Sequence, residues 1–255
     1  MPAFFVGHGN PMNAVESNQY TQAWSALVKN MARPRAVLAI SAHWYVPEVA
    51  LTAMQHPRTI HDFGGFPPEL YRIQYPAPGD PELVERVAKL LSPLEVRRNV
   101  DWGLDHGTWS VLRHMFPNAD VPIVQLSIDE TQPPRFRYDV GSHLAELRDE
   151  GVQIIGSGNL IHNLHAYAWG RHPALPFDWA LQFEKEACGY LRTGKVEPLI
   201  DYQNLGRHAA LSIPTPDHYL PLLYVIALRR NGDEVSFPVE GMDGGSISML
   251  SVRVG

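Results

Sequence analysis

Residues 36–47, AVLAISAHWYVP, decide how this chain is read. The run AVLAISA is short, apolar and β-branched in part, and prolines stand at positions 34 and 47. It predicts a strand over 36–42 that is buried on both faces. His43 follows where that strand opens into a loop. The same pattern stands at the front of the chain in AFFVGHGNP (3–11), a strand over 3–7 followed by His8 between two glycines. Working outward, EVALTAM (48–54), VPIVQLSI (121–128) and VQIIGSG (152–158) are further strand candidates, each a short apolar run bounded by turn residues. Apolar positions at helical spacing predict helices over 17–31, 80–91, 107–115, 135–149, 178–192 and 217–230. The alternation predicts an α/β fold, a central mostly parallel or mixed sheet flanked by helices. In the tail, EVSFPVE (234–240) and SISMLSVRVG (246–255) flank GMDGG and predict two strands, a hairpin that extends the sheet. No repeat, linker or low-complexity segment divides residues 1–255, which are read as a single domain.

Composition narrows the chemistry. A formal net charge of -6 offers no general attraction to nucleic acid or to an anionic membrane surface. The N-terminal stretch has no basic region before its brief apolar run, and no segment reaches membrane-spanning length, so the expectation is a cytoplasmic protein. With one cysteine, Cys188, the chain has no internal disulfide and no thiolate-rich metal site. Twelve histidines stand against that one cysteine, so a bound transition metal would need imidazole and carboxylate ligands, which suit zinc or non-haem iron.

The histidines fall into patterns. His8 and His43 occupy equivalent places at two strand ends, the ligand-binding edge of an open α/β sheet, and two such residues can converge on one ion. In GSGNLIHNLHAY (156–167), the glycines and Ser157 look like a phosphate cradle, but the dinucleotide spacing is incomplete. His162 lies nearer the strand end there than His165. In TPDHYLPLLYVIALRR (215–230), Asp217 reads as an N-cap and His218 falls in the first helical turn, as a ligand or as a packing residue. Asp105 and His106 precede the helix at 107; they read either as a substrate-orienting, proton-moving pair or as a cap followed by an exposed histidine. Trp44 offers an aromatic wall for a substrate or simple core packing. The segment 56–79, rich in Pro, Gly and aromatics, reads as a binding loop or lid.

Taken in order, GHGNP, SAHWY, LDHGTWSVLRHMFP, PIVQLSI, GSGNLIHNL and DHYLPLLYV resemble the class III extradiol ring-cleavage dioxygenases, in their 4,5-DOPA extradiol dioxygenase-like branch. The resemblance runs from residue 4 to about 230. It implies one divalent metal ion, Fe(II) for ring cleavage or Zn(II), held by His8, His43 and His218. It implies that His162 is the acid–base histidine, able also to close the shell of a zinc-loaded form, and that His106 is a second catalytic histidine. Trp44 and Asp105 are then expected at the substrate, a small catechol that reacts with O2. The wider superfamily uses two histidines and a carboxylate; His218 stands here in place of the carboxylate, which leaves the choice of iron or zinc open. A zinc hydrolase and a non-catalytic binding protein are the competing readings. The aromatic lid and 22 prolines also leave surface for a homodimer.

Overall fold

A computed structural model describes residues 1–171 and 173–255. Among the described residues there are ten strands: β1 Ala3–Gly7, β2 Ala36–Val46, β3 Ala50–Thr52, β4 Arg97–Asn99, β5 Ile123–Asp129, β6 Val152–Gly158, β7 Val235–Val239, β8 Met242–Asp243, β9 Ile247–Ser248 and β10 Ser251–Val254. The α-helices are α1 Gln19–Val28, α2 Pro68–Tyr71, α3 Pro81–Leu90, α4 His106–Met115, α5 Pro134–His143, α6 Asp178–Thr193, α7 Val196–Ile200, α8 Arg207–Ser212 and α9 Pro221–Ile226.

Eight strands form one mixed sheet in the order β4-β3-β5-β2-β6-β1-β10-β7, and β8 and β9 pair separately. The centre is parallel, with β6 between β1 and β2 and β5 beyond β2. Alternate side chains feed two apolar layers, as the two-residue strand period requires. Phe5, Leu38, Ile40 and Ile154 pack with residues of α5, α6 and α9, while Phe4, Val6, Val37 and Ile155 pack with residues of α1 and α4. This two-sided burial is why the central strands read as nearly unbroken apolar runs. The tail extends the sheet as expected: β10 pairs antiparallel with β1, and β7 with β10. Cys188 is buried in α6.

Three expectations change. Strand β2 runs to Val46, so His43 lies within a strand rather than after one. The β2–β5 register shifts between Ile40 and Tyr45, an irregularity that re-aims side chains at that point. The helix expected over 217–230 begins only at Pro221, with Leu220 rather than Asp217 at its N-cap. Residues 216–220 form a turn instead, in which the Tyr219 and Leu220 amides both donate to the Pro216 carbonyl. The helix expected over 135–149 ends at His143 and tightens into a 3-10 turn, Ala145–Arg148. Among the described residues no helix is long and apolar enough to cross a membrane.

Candidate metal centre

The carboxyl ends of β1, β2 and β6 lie side by side, and the site is built on them. His8 follows the last residue of β1, and its amide donates to the Gly158 carbonyl at the end of β6. His43 projects from the irregular part of β2. His218 reaches the same point because Gly158 has no side chain: a Cβ there would collide with the His218 carbonyl oxygen. The Asn159 amide donates to that same carbonyl at 2.9 Å and fixes the turn.

One donor nitrogen from each of His8, His43 and His218 lies within 4.8 Å of the other two. Each ring is held by its other nitrogen. His8 Nδ1 is 3.0 Å from the Ser157 hydroxyl, whose own proton goes to the Gly107 carbonyl, so His8 Nδ1 must be the donor. His43 Nδ1 is 3.2 Å from Asp62 Oδ2, and His218 Nδ1 donates to Asp217. His8 and His218 therefore carry their proton on Nδ1 and turn an Nε2 lone pair inward, and the Asp62 carboxylate beside His43 Nδ1 favours the same tautomer there. The Nε2 atoms of His8 and His43 face each other at 3.2 Å, and in that tautomer neither has a proton to share. A cation relieves that opposition. Two imidazoles bound to one tetrahedral ion at metal–nitrogen distances of about 2.0–2.1 Å stand about 3.3 Å apart, so the donor set fits. Burial, with the neighbouring imidazoles, also pushes the His8 and His43 pKa values well below the ordinary one, which keeps both neutral and ready to ligate.

Asp62 ties the lid to the site. Its Oδ2 also accepts from His106 Nδ1 at 2.9 Å, and its Oδ1 from the His106 amide at 2.8 Å. Burial alone would raise the Asp62 pKa, but the contacts with His106 hold it below the usual carboxylate value. His43, Asp62 and His106 also lie close enough to hold a cation. The two hydrogen bonds from His106 already use both carboxylate oxygens, so Asp62 orients the imidazoles around it.

Over the three nitrogens opens a cavity of about 460 Å3, within the range of small-molecule sites. Its walls include His106, His162, Phe66, Leu164, Tyr167, Trp169, Asp243 and Ile247. The His162 ring lies flat on that of His218, centroids 3.5 Å apart. Burial, followed by the charge of His218, pushes the His162 pKa down to about 3.

A family model described as the catalytic LigB subunit of aromatic ring-opening dioxygenase matches residues 2–236. The chain belongs to this family. The dioxygenase is 47% identical over its whole length to the "4,5-DOPA dioxygenase extradiol" of Escherichia coli K12, covering 95% of that protein. It is 34% identical to the protein of the same name from Beta vulgaris, over 98% of this chain and 95% of the relative. A crystal structure of an uncharacterized Escherichia coli K12 protein superposes with a TM-score of 0.88 at 42% identity, covering both chains completely. The dioxygenase is thus an extradiol ring-cleaving, metal-dependent enzyme. Its relatives favour neither the hydrolase nor the non-catalytic reading.

Of the residues expected in the dioxygenase site, His8, His43, His106, His162 and His218 all line the one cavity. Two do not. Trp44 is buried and stacks on Trp102 at 5.8 Å, because the inner face of β2 turns it away from the opening. Asp105 is fully buried; it caps α4 through the Thr108 amide and bonds Ser41 and Gln125. With no access to solvent, its burial and nearby Asp62 push its pKa up to about 6. His162 does not belong to the group of mutually close donor nitrogens, since its ring is layered on that of His218 rather than aimed beside it. Its pKa also falls far below the near-neutral value that its role suggested. Asp62, Ser157, Asp217, Tyr167 and Asp243 were not singled out for the tasks they have here. The only signal for Asp62 was its place beside His61 in the lid.

Proposed function

We propose that the enzyme opens the ring of a small, DOPA-like catechol with O2 to give a muconate semialdehyde, with both oxygen atoms entering the product. His8, His43 and His218 would hold the metal, and the convergence of one ring nitrogen from each within 4.8 Å of the other two is the observation that carries this reading. A bound divalent ion supplies Lewis acidity toward the catechol oxygens and, as Fe(II), electrons for O2. Fe(II) is the working ion in this reading and Zn(II) a redox-silent occupant of the same nitrogens.

The remaining steps belong to the chain. His162, neutral in its buried position, accepts a hydroxyl proton at a ring nitrogen and returns it later in the reaction. An anionic catechol beside it opposes the neighbouring imidazole charge and strengthens it as a base. His106, backed by the Asp62 carboxylate, balances negative charge on the reacting oxygens. Phe66, Leu164 and Ile247 pack the ring and keep water away.

The test is reconstitution. Apo-protein loaded anaerobically with Fe(II), given a catechol panel and then oxygen, should form a yellow semialdehyde. His162→Ala should lose at least about a hundredfold in kcat, the scale of a lost acid–base group, while metal per chain stays close to wild type. No turnover of any catechol by the iron form would sink the proposal.

A further inference from the structure

The inner wall of the cavity is imidazole, but its rim comes from another part of the chain. Asp243, at the end of β8, lines the cavity beside Tyr167 and Trp169. The Tyr167 hydroxyl donates to Asp243 Oδ2 at 3.1 Å. Burial and the Asp243 charge push the phenol pKa up to about 12, so it stays a donor. This corner is held in place from below. Gly244 lies against the Tyr167 ring, where a Cβ would overlap it, and its carbonyl accepts the Ala168 amide at 2.9 Å. Trp169 packs on Tyr167 with centroids 4.5 Å apart and remains 68% exposed at the mouth.

Charge at the rim has one sign. Among the described residues lining the cavity, Asp243 is the one carboxylate, and no Lys or Arg is present. A groove continuing outward shares Asn10, Tyr167, Trp169 and Asp243; it adds Glu16, and among the described residues lining it there is again no Lys or Arg. A substrate whose ring sits at the histidines extends its tail into this region. An ammonium group there meets a carboxylate and an exposed aromatic face, attractive to it by ion pairing and by cation–π contact. A tail carrying only a carboxylate meets like charge, with no Lys or Arg among the described lining residues to receive it.

We propose that Asp243, positioned by Tyr167, selects catechols whose side chain carries an ammonium group over those whose side chain carries only a carboxylate. This deepens the ring-opening reading by assigning the charge of the tail. The test therefore measures binding apart from turnover. Zn(II)-loaded enzyme is titrated calorimetrically with tyramine and with 3-(4-hydroxyphenyl)propionate, phenols of similar length and opposite tail charge. Tyramine should bind at least about tenfold tighter, and the ratio should fall toward one in Asp243→Asn. A wild-type ratio of one or less overturns the proposal, whether or not the variant folds. So does an unchanged ratio in a folded Asp243→Asn, which would make the Tyr167–Asp243 contact a structural brace only. If the ratio holds while no catechol is cleaved by the iron form, the ring-opening reading fails and the tail selection stands.

Discussion

Asp62 holds two imidazoles with one carboxylate, and that makes it the most informative single side chain in the centre. Its hydrogen bonds from His106 set which nitrogen of that ring carries the proton, and its close approach to His43 Nδ1 favours a proton there, without Asp62 facing the three inward nitrogens. Replacing it with Asn keeps the size but offers an amide in place of one acceptor, so one ring loses its anchor. Asp62→Asn should weaken metal binding by roughly 10–100-fold, the usual effect of a lost orienting partner, as read by competition with a chromogenic chelator. An affinity within about twofold of wild type would show that the rings hold their orientation unaided. At this scale the sequence was uneven. His8 and His43 were legible because a strand followed by histidine occurs twice. His218 was reached through the family resemblance, since nothing local distinguishes a ligand from a packing residue. Asp62 and Asp243 were not legible: each sits in an irregular loop and acquires its task from residues far away in the chain.

Among the elements, the close pairing of β6 with the turn at 216–220 places the third of the converging histidines, His218. Gly158 permits it, since the His218 carbonyl occupies the space of a side chain. Gly158→Ala adds one methyl group against backbone that cannot rotate away, and should cost about 1–3 kcal/mol. It should also displace His218 and lower metal per chain, although no ligand is changed. Elemental analysis with a thermal melt checks both, and full metal occupancy with an unchanged melt would contradict the packing argument. The elements themselves were largely readable. Strands β1, β5 and β6 and helices α3, α4 and α6 stand close to their expected ranges because burial on two faces, or at helical spacing, leaves a local pattern. The start of α9 was misjudged: Asp217 fits a cap, but Pro221 lacks an amide proton and takes the first helical position instead. Strand β4, RRN, carries no apolar pattern at all and exists only by pairing with β3.

Across the whole molecule, Arg148 joins segments that lie far apart in sequence. Its buried guanidinium donates to the carbonyls of Met1 and Leu228 and pairs with Asp233 at 2.5 Å. The hydrogen bond from Arg148 outweighs burial and holds the Asp233 pKa below the ordinary carboxylate value. A depressed carboxylate contributes stability above its unfolded pKa of about 3.9, and that contribution is lost as the pH falls through the folded value. Arg148→Met should lower stability by roughly 3 kcal/mol near neutrality. The gap between variant and wild-type Tm should narrow as the pH drops below about 4 and reach its minimum below the depressed folded value, where Asp233 is protonated in both. A gap that stays constant from neutral to acid pH would assign the whole effect to the lost carbonyl contacts.

The rim and the three converging histidines share almost no chain. His8, His43 and His218 stand on the sheet and its adjoining turn, whereas the mouth is made by residues 164–169 and by Asp243 in the β8–β9 hairpin. In descent, the two can drift separately. A substitution at the mouth changes which molecules are admitted and leaves the ion in place, so a lineage can widen or switch its diet while inheriting one reaction core intact.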